Sequence, residues 1–449
     1  MLHETHASRP SRAAAFRRVP WRCGRLVVAA ALAAAPLAAA VPPRTVAPAA
    51  ALAGAPAGAP AGAPTTAPGA AADAHLQALR EHGRSPVDLV LAALEQHDLL
   101  IFDDALHNAV EPFELYQKLL RDPRVRKQVR TVFLEVVSLA AQPHLDAYLA
   151  SPTDDRSLLA PVFRDDYSGY GWRYATYLDL LATVREINQG LPPAERLRVV
   201  GVDQPIWWEA IHTRADYELF QESLAGRDFF LYAMIRDRMH GFRNGEKAFF
   251  LTNTRHAYMR VRDAAGRPQL NTAGFFARYD PGRAWSMRLH NATLAIEGSR
   301  DSAGPHTTQG LETKIYRWVR MEDGAWDRAF AAHGNVPVGL EIAGTPFGAA
   351  PFIGNTMTNA APGSTMADAY DALIFVAPLD ELHLSATTGF YVTPDFRPEL
   401  ARRIRLVEGD HLAATLADEG VATVDELLDR LAAGTPAKHN SLLDPGEKR

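Results

Sequence analysis

The chain has 449 residues, 47% hydrophobic and 22% charged, with one Cys and a net charge of −5. That length buries a core without disulfides or structural metal, and a lone Cys23 excludes an intramolecular disulfide framework and a Cys-based zinc site. A near-neutral balance gives no basic face of the kind a nucleic-acid surface needs, so no nucleic-acid partner is expected.

Residues 1–40 read as a secretory signal peptide. Arg12, Arg17, Arg18, Arg22 and Arg25 form a basic region, Leu26–Leu37 is an Ala/Val/Leu run, and Ala38-Ala39-Ala40 is a small-residue cleavage pattern. The run is shorter than the ~20 residues a membrane span needs, and a retained N-terminal anchor is the alternative. Residues 1–40 hold six Arg and one Glu, so the remainder has 41 basic and 51 acidic residues, a charge of −10, and no Cys. The expectation is an exported protein, periplasmic or extracellular, with no stable membrane insertion after cleavage. Residues 41–73 are an Ala/Pro/Gly tract with too little bulky apolar surface to offset ordering entropy, and are expected to form a disordered linker. A single domain over 74–434 and a polar tail, 435–449, complete the expected organisation.

Within that domain, Ser85, Pro86 and Asp88 form an N-cap, N1 and capping-box pattern for a helix over 85–96. Leu99-Leu-Ile-Phe102 is a short, fully apolar run, as a buried parallel strand requires. A helix is predicted over 108–120, a strand over 131–137 with Glu135 inside it, and a helix over 172–188. A strand over 197–203 ends in Asp203, a single helix is predicted over 216–239, and a strand over 248–256 ends in polar groups. Further strands are predicted at 292–297, 336–342 and 372–377, and two closing helices at 398–406 and 424–433. Strands alternating with helices predict an α/β fold, a mainly parallel central sheet flanked by helices, with loop insertions.

Ligands of such sheets sit outside the carboxyl ends of the strands. Four strand ends here carry polar groups: Asp103, Asp104 and His107 after the first, Glu135 in the second, Asp203 after the third, and Asn253 and His256 after the fourth. A carboxylate inside an apolar strand, as at Glu135, is costly unless paired, hydrogen-bonded or metal-bound. Asp103 or Asp104 alone reads equally as a helix cap, and Asp203 before Gln-Pro as a turn residue. Glu111 lies one helical turn after His107, so the two are expected to share a face. His383 is placed to reach the same rim, whereas His212, His240, His290, His306 and His333 default to the surface. Trp207-Trp208 reads as a pocket wall or as ordinary packing. The stretch 339–365 reads as a long loop over the pocket. The sequence has no G-x-S-x-G elbow, Walker A motif, G-x-G-x-x-G after a strand or H-E-x-x-H.

The order and spacing of these pieces resemble the erythromycin esterase superfamily, which also takes in ChaN-type haem-uptake proteins and the Tiki proteases. Phe102-Asp103-Asp104-Ala-Leu-His107 stands where those families carry a strand and then Gly-Glu-x-x-His. Phe133-Leu-Glu135 matches their strand with an embedded Glu, and Gly201-Val-Asp203 their Gly-x-Asp. Ile235-Arg236-Asp237-Arg-Met239 matches an Arg-Asp-x-x-Met helix, followed by a strand ending at His256. The resemblance covers about Leu99 to Tyr258, plus the strand after Tyr370.

The resemblance implies an exported hydrolase of an ester or amide bond in a small-molecule or peptide substrate. In it His107 is the general base on water, which asks for a pKa near neutrality. Glu135 or Asp104 orients His107, His256 polarises the scissile carbonyl, and Arg236 pairs an acid or stabilises developing negative charge. Asp103, Glu111, Asp203, Asn253 and His383 complete the expected site as binding residues. The Tiki branch implies a divalent-metal hydrolase instead, with Asp103, Asp104, His107, Glu135 and His256 as a mixed N/O set for Zn, Mn or Co. The ChaN branch implies a haem- or iron-binding protein without catalysis.

Overall fold

The unbroken apolar runs at Leu99 and Phe249 reflect burial on both faces of one sheet. The computed structural model describes residues 68–242, 245–297, 315–353 and 360–443. The signal-peptide region, most of the Ala/Pro/Gly tract and His306 lie outside them. The strands are β1 (Leu99–Asp103), β2 (Val129–Ser138), β3 (Arg198–Asp203), β4 (Lys247–Thr252), β5 (Ala284–Leu289), β6 (Thr293–Glu297), β7 (Ile315–Val319), β8 (Val338–Glu341), β9 (Ala372–Phe375), β10 (His383–Leu384) and β11 (Lys438–His439). Seven of them form the central sheet in the order β3-β2-β4-β1-β5-β9-β8. Every neighbouring pair is parallel except β8 with β9. The fold is therefore α/β, with a mainly parallel sheet and helices on both faces. Among the described residues no helix is long and apolar enough to cross a membrane.

Side chains alternate between two cores. Leu100, Phe102, Val132, Leu134, Phe249 and Leu251 enter one, and Leu99, Ile101, Phe133, Ala248 and Phe250 enter the other. Because both faces are dry, these strands show no polar alternation. The helix Pro86–Gln96 starts as its cap pattern predicts, with Asp88 N bonded to Ser85 Oγ at 3.1 Å.

Several boundaries differ from the sequence reading. The predicted helix over 216–239 is two helices, Arg214–Ser223 and Arg227–His240, separated by a 3-10 turn ending at Gly226. The break places Arg227 and Asp228 in a first helical turn. The helix expected from Asn108 begins at Glu111, after a turn in which Ala105 has φ of 59°. His107 and Glu111 therefore share no helical face. The helix expected from Trp172 begins at Ala175 and leaves Trp172 in a loop. β5 and β7 had no predicted counterpart, and β6 pairs only with β7, outside the main sheet. The helix Pro68–His82 starts inside the Ala/Pro/Gly tract. In the polar tail, β11 pairs with β10 and Asn440 is buried. His290 is buried too, not at the surface.

The register between β2 and β3 shifts after Leu134, between Leu134 and Ser138. Gly201 lies under that irregularity. A Cβ there would meet Val137 Cγ1 and Val137 O at 2.6 Å, so glycine admits the close approach of the end of β2.

Candidate active site

The carboxyl ends of β1, β2, β3 and β4 lie side by side, and a pocket of about 190 Å³ opens there. Its wall includes His107, Glu135, Asp166, Trp172, Asp203, Arg227, Asn253, Arg255 and His256. It is smaller than the ~300–1,000 Å³ usual for drug-sized ligands, a size suited to the reacting group of a substrate.

Glu135 sits where the ladder between β2 and β4 stops, one residue past Leu134. It is buried and accepts bonds from its surroundings on both oxygens. Oε2 takes Thr252 Oγ1 at 2.5 Å and Asn253 N at 3.0 Å, and Oε1 takes Arg227 Nη2 at 3.0 Å. The imidazoles flank it, His256 Nε2 at 3.1 Å from Oε1 and His107 Nε2 at 3.5 Å from Oε2. Burial by itself would raise the Glu135 carboxyl. His256, His107 and Arg227 outweigh burial and hold it well below the usual range.

Arg227, at the start of its helix, is the hub. Its Nε and Nη2 grip Asp203 at 2.6 and 3.0 Å, and its Nη1 lies 2.9 Å from His256 Nε2. Its guanidinium stands 5.3 Å from the centre of the Tyr167 ring. A buried guanidinium persists because planar, two-pronged pairing offsets its desolvation. The next residue, Asp228, accepts from His256 Nδ1 at 2.6 Å and from Thr272 N and Oγ1, each at 2.8 Å. Burial would raise the Asp228 carboxyl, yet His256 and Thr272 bring it down to about 2. Burial would lower the His256 pKa, but Asp228 and then Glu135 move it upward.

His107 carries carboxylates on both ring nitrogens. Nδ1 faces Asp104 Oδ2 at 3.2 Å, with Tyr177 Oη also at 3.2 Å. Burial opposes the charged ring, but Asp104 and Glu135 push its pKa up to about 10. Burial lifts Asp104 to about 6 against the pull of His107. The pair thus holds one proton on the imidazole at neutral pH. That differs from the near-neutral base the sequence reading required.

Of the other expected residues, Asn253 lines the pocket, and among the described residues its Oδ1 has no hydrogen-bond partner. Trp172 Nε1 is another buried polar atom of the pocket wall without one. Asp103 stays out of the pocket. Arg288, its register partner on β5, lies 3.3 Å from its Oδ2, Tyr370 Oη bonds the same oxygen, and Oδ1 takes Ala105 N at 2.8 Å. Glu111 and His383 pair with each other at 2.9 Å, and neither lines the pocket. Arg236, two and a half turns beyond Arg227, faces Asp280 at 2.9 Å and is 41% exposed. The arginines of the pocket wall are Arg227 and Arg255, and the matched Arg236-Asp237 pair stands further along the helix that Arg227 begins. Trp207 is 57% exposed and Trp208 is buried against Tyr217; both border a separate cavity. No described residue of 339–365 lines the active-site pocket.

The residues the sequence reading missed are Arg227, Asp228, Asp166, Tyr167, Trp172 and Arg255. The available signals were Gly226 immediately before an Arg-Asp pair and the run 165–172, where two acids precede a loop rich in Gly and aromatics.

Of the five metal candidates, Asp104, His107, Glu135 and His256 cluster, and Asp103 stands apart. Asp103 is committed to Arg288, and Arg227 Nη1 and Arg255 Nε stand 2.9 and 3.2 Å from the His256 nitrogen that would bind an ion. Among the described residues no three His, Cys, Asp or Glu side chains are arranged to hold one.

No family model and no curated protein matches the chain. Among solved structures it is similar to an erythromycin esterase mutant in its open conformation, at 12% identity over 64% of this chain and 92% of that one, with a TM-score of 0.41. It is also similar to a Bacillus cereus protein, at 12% identity over 69% and 99% with a TM-score of 0.41. A third is a succinoglycan biosynthesis protein, at 8% identity over 68% and 96% with a TM-score of 0.45.

Proposed function

We propose that this pocket is the active site of a hydrolase in which water attacks an ester or amide bond and His107 handles the proton of the leaving group. The observation that carries the reading is the placement of His107, in the pocket wall with Asp104 on one nitrogen and Glu135 on the other. Those carboxylates keep the ring an imidazolium at neutral pH, so it enters the reaction as an acid. Arg227 stands at the end of the pocket where an oxyanion develops, its guanidinium held in place before substrate arrives. The substrate is a small molecule or peptide, and the basic, apolar and small-residue pattern of residues 1–40 supports action outside the cytoplasm. Cell fractionation tests that location: retention of the full-length chain in the cytoplasm refutes it.

The chemistry is tested with alkyl esters, whose strongly basic alkoxide leaving group needs a proton in order to depart. His107→Asn is expected to lower kcat by ~10²–10⁴-fold, the usual contribution of a positioned acid or base, with the denaturation midpoint little changed. Because the acid form exists below its pKa, the wild-type rate should fall as pH rises through about 10. Full activity in His107→Asn refutes the reading.

A further inference from the structure

Hydrolysis with His107 as the acid leaves the proton of the attacking water without a destination. Glu135 and Asp203, both in the pocket wall, are poor candidates. Glu135 accepts three hydrogen bonds and faces two imidazoles, and both oxygens of Asp203 are held by Arg227. The third carboxylate of the wall is Asp166. Among the described residues it has no cationic partner at ion-pair distance; its Oδ2 takes the N–H of Ser168 at 3.2 Å and the Ser168 hydroxyl.

The loop that carries it is pinned on several sides. Trp208 Nε1 donates to Asp166 O at 3.1 Å, Tyr217 Oη to Tyr167 O at 3.0 Å and Tyr391 Oη to Tyr170 O at 2.8 Å. Gly169 and Gly171, both with φ of 82°, supply left-handed backbone that other residues resist. A Cβ on Gly171 would lie 2.6 Å from the Tyr391 ring. Fixing a functional side chain on a rigidly supported loop is how a site holds its geometry before substrate binds.

Resting on the hydrolase reading above, we infer that Asp166 is the general base of the pocket. The oxygen of water bonds to the carbonyl carbon as its proton passes to the Asp166 carboxylate. The C–O or C–N bond then breaks, its electron pair stays on the leaving atom, and that atom takes the proton of His107 Nε2. Loss of the Asp166 proton to solvent and uptake of one by His107 restore the starting state. The electrostatics agree. Burial lifts Asp166 to about 6 against the bonds from Ser168; Asp203 pushes the same way and Arg227 opposes. The phenols of Tyr167, Tyr217 and Tyr391 interact with it as well, and the preceding carboxyl, Asp165, is itself raised by burial. An acid and a base whose surroundings push their pKa values apart divide the two proton transfers between them.

The experiment is the pH dependence of kcat/KM for ethyl acetate hydrolysis, followed by acid release, by the full chain and its variants, with circular dichroism to check folding. Wild type should gain activity as pH rises through about 6. Asp166→Asn, which keeps an acceptor for Ser168, should lose that limb and ~10²–10⁴-fold in rate. Ser168→Ala removes the hydroxyl bond that stabilises the carboxylate and keeps the backbone N–H bond, so its limb should move to higher pH, and this carries the test should Asp166→Asn fail to fold. An unchanged limb in a folded Asp166→Asn, or an unmoved limb in Ser168→Ala, overturns the base assignment. If His107→Asn is inactive while Asp166→Asn keeps both rate and limb, the hydrolase reading stands and only the base assignment falls. A wild-type chain that hydrolyses none of these esters, or a fully active His107→Asn, removes both.

Discussion

Two buried clusters in this molecule pair imidazoles with carboxylates, and only one looks like a site. Around Trp326, His75 lies 3.0 Å from Glu322 and His290 lies 3.2 Å from Asp327. Their rings pack against Phe347 at 4.5 Å and Phe330 at 5.1 Å, and Glu322 accepts the Trp326 indole N–H at 2.8 Å. Each imidazole there has its own acid, and aromatic rings fill the space around it. At the ends of β1–β4, by contrast, one carboxylate is shared by two imidazoles and an arginine, and the group opens onto a pocket. A buried His–acid pair is thus no sign of chemistry by itself. Shared partners and an opening to solvent mark the difference, because protons must move among the groups and reach a substrate.

That comparison can be broken by substitution. Arg227→Met should have the largest effect, because it leaves Asp203 and Glu135 buried without their cation. We expect ~3–5 kcal/mol lost in urea denaturation, together with loss of ester hydrolysis. Trp326→Ala should cost a similar ~3–5 kcal/mol of stability through the cavity it opens, while kcat/KM of the folded fraction stays at the wild-type value. A drop in kcat/KM would show that the aromatic cluster is coupled to the pocket after all. Arg236→Ala should have the smallest effect. Its pair with Asp280, half-exposed on the arginine side, contributes ~1 kcal/mol, and hydrolysis should be unchanged. A large rate loss there would return the site arginine to the position the motif alignment suggested.

The sequence located the rim of the site better than its depth. Apolar runs ending in Asp103, Glu135, Asp203 and Asn253 were legible because burial on both faces makes a parallel strand a continuous hydrophobic word with a polar stop. β5 was not legible, since its run Ala-Trp-Ser-Met-Arg-Leu places Ser286 and Arg288 inside the sheet. Arg288 is tolerated there because Asp103, Tyr370 and Thr293 accept from its guanidinium, Asp103 being its neighbour across the ladder and 185 positions away. The same pairing removed Asp103 from the site. Arg227 was hidden by periodicity, which carried one helix through Gly226 and left no start at which to look for functional side chains. Asp166 and Trp172 belong to a loop, where no repeat in the sequence announces direction, and hydrogen bonds from distant residues, Trp208, Tyr217 and Tyr391 among them, fix it.

Gly201 offers a way to act on the pocket without altering any group in it. It behaves as a spacer of the least possible thickness between two strands, seated beneath the segment of β2 that follows Glu135. A single added methyl would meet the backbone oxygen of Val137 at 2.6 Å, which the strand can relieve only by moving. Glu135 lies two residues earlier on that strand, so displacement there would alter its reach to both imidazoles at once. The tolerance of the whole proton-handling group is therefore set from below by the thinnest residue available, and thickness at position 201 becomes a dial for alignment.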